Sequence, residues 1–183
     1  MKVEQLMTRD VKACAPQDSI SRAAQLLWEN DIGALPVVDS EGRVVGMVTD
    51  RDVCMAAYFK GRPLAEIRVD ETMARKVYSC LSTDPVEDAE RMMRGYQIRR
   101  LPVMDSDSRL VGILSLNDLA LQCERELGKR EPEVAADELA RTLAGVCRPR
   151  SAETERAVEL QPAARRAPAR APEASRPRAR KNR

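Results

Sequence analysis

The sequence predicts an α/β (α+β) module built from two β-α-β-β-α repeats related by a pseudo-twofold axis. Three observations carry that reading. Residues 3–53 align without gaps on residues 69–119 at an offset of 66, with 17 of 51 positions identical. Identity at a fixed offset marks a duplication, and two copies are too few for a solenoid. Each copy also repeats one pattern of apolar spacing, first helical, then alternating, then helical again. Finally, the chain is 43% hydrophobic but only 3% aromatic, so its core must be aliphatic.

The elements follow in order. A short strand opens each copy, at 11–14 and 77–81. Asp18 and Asp84 stand where a helix N-cap is expected, and Pro85 at N1 with Glu87 at N3 strengthens the second cap. The helices that follow place Ile20, Ala23, Ala24 and Leu27, or Val86, Ala89 and Met93, on one apolar face. "LPVVD" and "LPVMD" read as strands, with the proline at the first residue or on an edge. The turns "SEGR" and "SDSR" lead to "VVGMVT" and "LVGILS", completing a hairpin, and a further helix starts near Asp50 or Leu116. A unit of about 50 residues buries too little apolar surface to stand alone, so the two copies are expected to pack on each other.

The expected division is 1–62 and 63–128 for the repeats, 129–148 for a C-terminal helix and 149–183 for a tail. Gly128 reads as the stop of the second repeat's last helix. "EPEVAADELARTLAGVC" reads as a helix with Pro132 near its start and a stripe of Val134, Leu139, Leu143 and Val146, docked on the module or on a dimer mate. After Pro149 the composition turns to Ala, Pro and Arg without apolar periodicity, which predicts disorder. Charge divides at the same place. Residues 1–147 hold 20 Lys+Arg against 25 Asp+Glu, whereas residues 148–183 hold 11 against 4.

Composition also narrows the chemistry. There is no histidine, hence neither the commonest general base nor the commonest transition-metal ligand. Five cysteines, widely spaced and never in a C-x-x-C pair, suit a reducing compartment and give neither a disulfide framework nor a zinc site. Cys14 and Cys80, at equivalent positions, read as small buried hydrophobes. Neither a membrane span nor a secretory leader is expected, which makes the expected location cytoplasmic. With no glycine-rich phosphate loop and no nameable nucleophile–base pair, no enzyme and no required cofactor are expected.

The candidate binding residues lie where each hairpin meets its following helix, at Thr49-x-x-Asp52 and Ser115-x-x-Asp118. A helix start offers free N–H groups to a phosphate, and the hydroxyl adds a donor. Three residues on, the aspartate shares that face and suits ribose hydroxyls. The same [ST]-x-x-[DE] pattern is also a capping box that needs no ligand. Arg51, Arg99 and Arg100 are the nearest cations for phosphate, or else solvated surface arginines. Ala74 stands where the first copy has Thr8, and Arg99–Arg100 replace Gly33–Ala34, so the two clefts are not chemically equal. Trp28 reads as a packing or dimer residue.

"VEQLMT", "DSISRAAQLL", "DIGALPVVD" and "GRVVGMVTDRDV", with their counterparts "VDETM", "DPVEDAERMM", "QIRRLPVMD" and "SRLVGILSLNDL", resemble the paired CBS domains called a Bateman module. The resemblance is to the free-standing bacterial kind, such as the hypoxic response proteins, with no attached enzyme or transporter. It implies a homodimer and clefts between repeats that take AMP, ADP, ATP or S-adenosylmethionine. It places Thr49, Asp52, Ser115 and Asp118 on ribose and phosphate, and the adenine near Met47 and Ile113 and beside Val11 and Val77. The function it implies is a ligand-sensing module that modulates an unidentified partner protein. The rival reading is a non-catalytic scaffold whose basic tail attracts nucleic acid or an acidic partner through charge, with little sequence specificity.

Overall fold

A computed structural model describes residues 1–149. The first copy comprises α1 (Ile20–Glu29), β1 (Ala34–Val38), β2 (Val44–Thr49) and α2 (Asp50–Lys60). The second comprises β3 (Cys80–Leu81), α3 (Val86–Tyr96), β4 (Arg100–Met104), β5 (Leu110–Ser115) and α4 (Leu116–Arg125), and α5 (Ala136–Cys147) follows. The expected tail lies outside the described residues from residue 150 onward. Among those described, no helix is long and apolar enough to cross a membrane.

The two hairpins share one register. Leu35 lies opposite Val48 and Pro36 opposite Met47, just as Leu101 lies opposite Leu114 and Pro102 opposite Ile113. β3 runs parallel to β4, but the strand expected at 11–14 contracts to a single parallel bridge, Cys14 beside Val37. Pro36 and Pro102 stand third in their strands, inside the sheet rather than at a first residue. The partner geometry explains how the sheet tolerates them. Met47 sends its N–H and C=O to Ala74, at 3.0 and 2.8 Å, away from Pro36. Ile113 does the same with Thr8, at 3.0 and 2.9 Å, so neither missing proline N–H costs a hairpin bond.

Those last contacts cross between copies. The segment that precedes each repeat completes the sheet of the other repeat. Val3 N–H bonds Asp84 O at 2.9 Å, and 66 residues on Val69 N–H bonds Asp18 O at 2.8 Å. The cores follow the same exchange. Val3 and Met7 are buried with Val86, Met93, Leu101 and Leu114 of the second copy. Val69 and Met73 are buried with Ile20, Leu27, Leu35 and Val48 of the first. Gly46 and Gly112 make room for the methionines: an added Cβ would lie 3.0 Å from Met73 Cγ or Met7 Cγ, and 3.2 Å from Ala74 O or Thr8 O. A third, smaller cluster around Val44, Val77 and Met104 joins the copies near the hairpins.

Several local expectations are corrected. Asp18 and Asp84 do not cap the helices. They stand too early and close the preceding turn, accepting from Ala15 N–H at 2.7 Å and Leu81 N–H at 2.8 Å. Ser19 caps α1, and Pro85 holds the N-cap position of α3 without a side-chain bond, so it is not N1 and Glu87 completes no capping box. Ile20, Ala23, Leu27, Val86, Ala89 and Met93 are buried, while Ala24 is half-buried. Burial pushes the Cys14 and Cys80 thiols up to about 12, with nearby Asp18 and Asp84 adding to it.

The last helix packs chiefly on α3 and more lightly on α4. It starts at Ala136, after Pro132, and its buried stripe runs through Leu139, Thr142, Gly145 and Val146, while Leu143 is exposed. Gly145 brings the helix axes close, since a Cβ there would collide with the Arg94 stem. Glu126 holds the connection: its carboxylate accepts from Glu133 and Val134 N–H at 2.8 and 3.0 Å, and its pKa is lowered to about 2 by Val134 N–H first and then by Lys129, Gln122 and Glu133. Glu90 on α3 is only 2% exposed, and its Oε1 finds no partner. Burial, then Glu138 and Glu87, push its pKa up to about 7 against the pull of Arg94.

Two outcomes are expected. Gly46→Ala and Gly112→Ala should each destabilise by about 1–3 kcal/mol through overpacking. Either variant should still unfold in one transition, read by urea denaturation, because each site locks both cores. Glu90 binds a proton in the folded chain that the unfolded chain has already released, so stability should fall as pH rises from the ordinary carboxylate range through about 7. Glu90→Gln should flatten that slope in melting curves taken across the window.

Candidate functional site

β2 and β5 each end on a hydroxyl residue that is still extended, with φ −122° at Thr49 and −127° at Ser115. The next residue turns into helix, leaving the first-turn N–H groups in need of acceptors. Both motifs form reciprocal capping boxes. Asp52 Oδ2 accepts from Thr49 N–H at 2.8 Å and Oγ1 at 2.7 Å, and Thr49 Oγ1 accepts from Asp52 N–H at 3.2 Å. Asp118 Oδ2 accepts from Ser115 N–H and Oγ, both at 2.7 Å, while Asp118 N–H donates to Ser115 Oγ at 3.4 Å. Capping is therefore present at both sites. A carboxylate has about four acceptor positions, so capping leaves capacity for a ligand.

The exchange of opening segments separates the two motifs. Thr8 Oγ1 donates to Asp118 Oδ1 at 3.3 Å, across 110 residues of chain. The equivalent residue beside Asp52 is Ala74, which has no hydroxyl to give. The inequality seen in the sequence thus becomes a difference between clefts.

A cleft of about 560 Å³ opens between the copies beside Asp118. It gathers Val11, Arg99, Arg100, Ile113, Ser115 and Asp118. Thr8, Lys12, Asn30, Asp31, Ile32 and Ala34 complete its wall from the first copy, together with Leu116, Asn117 and Leu121. The remaining candidates fall on the other half of the pseudo-twofold. Met47 meets Ala74, Val77 packs in the cluster with Met47, and Thr49, Arg51 and Asp52 form the end of β2 and the first turn of α2. The eleven candidates therefore form two separate groups.

Charge is distributed with purpose in the Asp118 cleft. Lys12 is paired with Asp10 at 2.9 Å. Among the described residues, neither Arg99 nor Arg100 has a carboxylate within 4.0 Å, leaving two free guanidinium groups in one cleft. Arg100 reaches over the first copy at Gly33, where an added Cβ would lie 3.3 Å from Arg100 Nη2 and 3.3 Å from Asp50 Oδ2. Arg99 holds the start of α4, its carbonyl accepting from Leu116 N–H at 3.0 Å. Among the described residues, no group of three or more potential metal-binding side chains forms. A wider hollow of about 870 Å³ lies beside Met1, Glu87 and Glu133. It is bridged by the Met1 amino group and Glu133 at 2.5 Å and holds neither repeated motif.

Sequence reasoning missed Thr8, Lys12, Asn30, Asp31, Ile32 and Ala34 as lining. The Thr8/Ala74 difference was the one available signal for the first of these, and the crossing of segments that gives it meaning has no local signature.

The CBS domain family model matches residues 3–58 and 65–123. The CBS domain-containing protein YhcV of Bacillus subtilis is 39% identical over 119 residues, 65% of this chain and 83% of that protein. Among solved structures, the CBS domain pair of protein MJ0100 in complex with 5-methylthioadenosine and S-adenosyl-L-methionine superposes with a TM-score of 0.61 at 28% identity, over 69% of this chain and 98% of that one. The structure of CBSX2 in complex with AMP gives a TM-score of 0.59 at 30% identity, over 68% and 98%.

Proposed function

The chain belongs to the CBS domain family, and from that premise we propose a non-catalytic regulatory module that senses an adenine nucleotide or S-adenosyl compound in the Asp118 cleft. The observation that carries this reading is the convergence, on one inter-copy cleft, of two unpaired guanidinium groups, a helix-starting carboxylate and the apolar Val11 and Ile113. Arg99 and Arg100 suit the phosphates of AMP, ADP or ATP, since a guanidinium fork matches phosphate oxygens. Asp118 suits the ribose hydroxyls, and Val11 and Ile113 suit the base. The adenosyl ligands of MJ0100 and CBSX2 support the same ligand class here.

A ligand in this cleft touches both copies and so favours one placement of one copy on the other. It alters a partner protein only to the extent that its affinity differs between two such placements. Binding at a hundred times the dissociation constant adds about 2.7 kcal/mol of stability. In a chain of this size that amounts to roughly 5–10 °C in melting temperature. A thermal-shift series with AMP, ADP, ATP and S-adenosylmethionine tests the reading, and a flat response to all four overturns it. In the same assay Asp118→Ala should weaken binding about ten- to hundredfold, the loss of hydrogen bonds to a charged acceptor. It should also cost about 1 kcal/mol of stability through the broken cap.

The active form in this reading is a homodimer through the first copy's outer helices. In the second copy α5 covers α3 around Arg94. Trp28 stands at the equivalent position on α1 and is 87% exposed, with Tyr58 and Phe59 also exposed on α2. Bare aromatics of this size mark contact surfaces. Sedimentation of the wild type should show a dimer at micromolar concentration, and Trp28→Glu with Phe59→Glu should give a folded monomer.

A further inference from the structure

The pseudo-twofold relates the lining of the two clefts residue by residue. The contacts Thr8–Ile113 and Cys14–Val37 recur as Ala74–Met47 and Cys80–Val103, each partner displaced by 66 positions. Lys12 and Asn30, which line the Asp118 cleft, therefore correspond to Tyr78 and Tyr96 at the Asp52 cleft. These two tyrosines stack on each other, with centroids 3.8 Å apart and planes inclined by 19°. Their rings are in contact, so no planar base fits between them. Lys76, the counterpart of Asp10, stands over the Tyr78 ring at 5.4 Å. An ammonium at that distance from a ring centroid is attracted to the ring face. The Tyr78 ring is thus engaged by both Tyr96 and Lys76 rather than held open for a base.

Two other differences act in the same direction, while Arg51, the counterpart of Asn117, leaves the Asp52 side one cation. Where the Asp118 cleft has Arg99 and Arg100, the Asp52 side has Gly33 and Ala34. Where it has the Thr8 hydroxyl, the Asp52 side has Ala74. The Asp52 half keeps its capping box, which holds α2 whether or not a ligand is present.

We propose that the stacked Tyr78–Tyr96 pair closes the Asp52 cleft, so that each chain takes up one adenosyl ligand, in the Asp118 cleft alone. The closed half is then a fixed support against which the open half responds. This rests on the reading of the Asp118 cleft as a nucleotide site. Titration calorimetry of the full chain with AMP, and separately with S-adenosylmethionine, tests it through stoichiometry. The expected results are one equivalent per chain for the wild type, one for Asp52→Ala at unchanged affinity, and two for Tyr78→Lys with Tyr96→Asn, which transplants the open cleft's residues. Two equivalents in the wild type, one of them lost in Asp52→Ala, overturn the closure and leave the Asp118 reading standing, whereas loss of a single equivalent in Asp52→Ala overturns both. A folded double variant that still takes one equivalent overturns the closure too. No uptake of either ligand by the wild type overturns both readings. Should the double variant fail to fold, the wild type and Asp52→Ala decide.

Discussion

Two short segments that leave one repeat to finish the other hold this structure together. Val3 and Met7 sit in the second copy's core, and Val69 and Met73 sit in the first's. Everything else depends on that crossing. It supplies the outer partner for β2 and β5, which lets a proline stand inside each neighbouring strand without an orphaned carbonyl. It requires glycine at 46 and 112, where a methionine side chain passes directly over the sheet. It also forms the functional cleft, because Thr8 and Val11 reach Asp118 only after their segment has crossed to the second copy.

One consequence is that the clefts inherit residues from both repeats and can diverge independently of the core. The buried positions of the two copies match closely: Leu35 with Leu101, Val37 with Val103, Cys14 with Cys80, Ala23 with Ala89. Several positions around the clefts do not match: Thr8 with Ala74, Lys12 with Tyr78, Asn30 with Tyr96, Gly33 with Arg99. Packing constrains the first set, since a close-packed interior tolerates small volume changes poorly. The second set faces solvent or ligand, and there charge and ring stacking can change at little cost to the fold.

Much of this architecture was legible in the sequence because it depends on local spacing. The ungapped repeat, the helical faces of α1 and α3 and the two hairpins all follow from residue order within a short window. The errors are of two physical kinds. Asp18 and Asp84 are good capping residues at the wrong step, and a difference of one or two positions decides whether such a carboxylate serves a turn or a helix. Leu143 lost its place in the buried stripe because Gly145 and the Arg94 stem set the roll of α5, a contact between distant parts of the chain. How the eleven candidate residues divide between the clefts was left open by the sequence, because it depends on the crossing, which no window of sequence contains.

The crossing also speaks to how such a chain can arise. A lone repeat would carry a vacant slot in its sheet and an opening segment unable to fill it without reaching another molecule. Two identical copies satisfy each other only by mutual strand donation, as partners in a symmetric pair. Joining them in one chain replaces that encounter with an intramolecular one, at an effective concentration on the order of millimolar for a short linker. The stretch from Lys60 to Leu64 is such a tether. With association guaranteed, the halves no longer had to remain the same. Tandem linkage thus leaves the two halves free to differ.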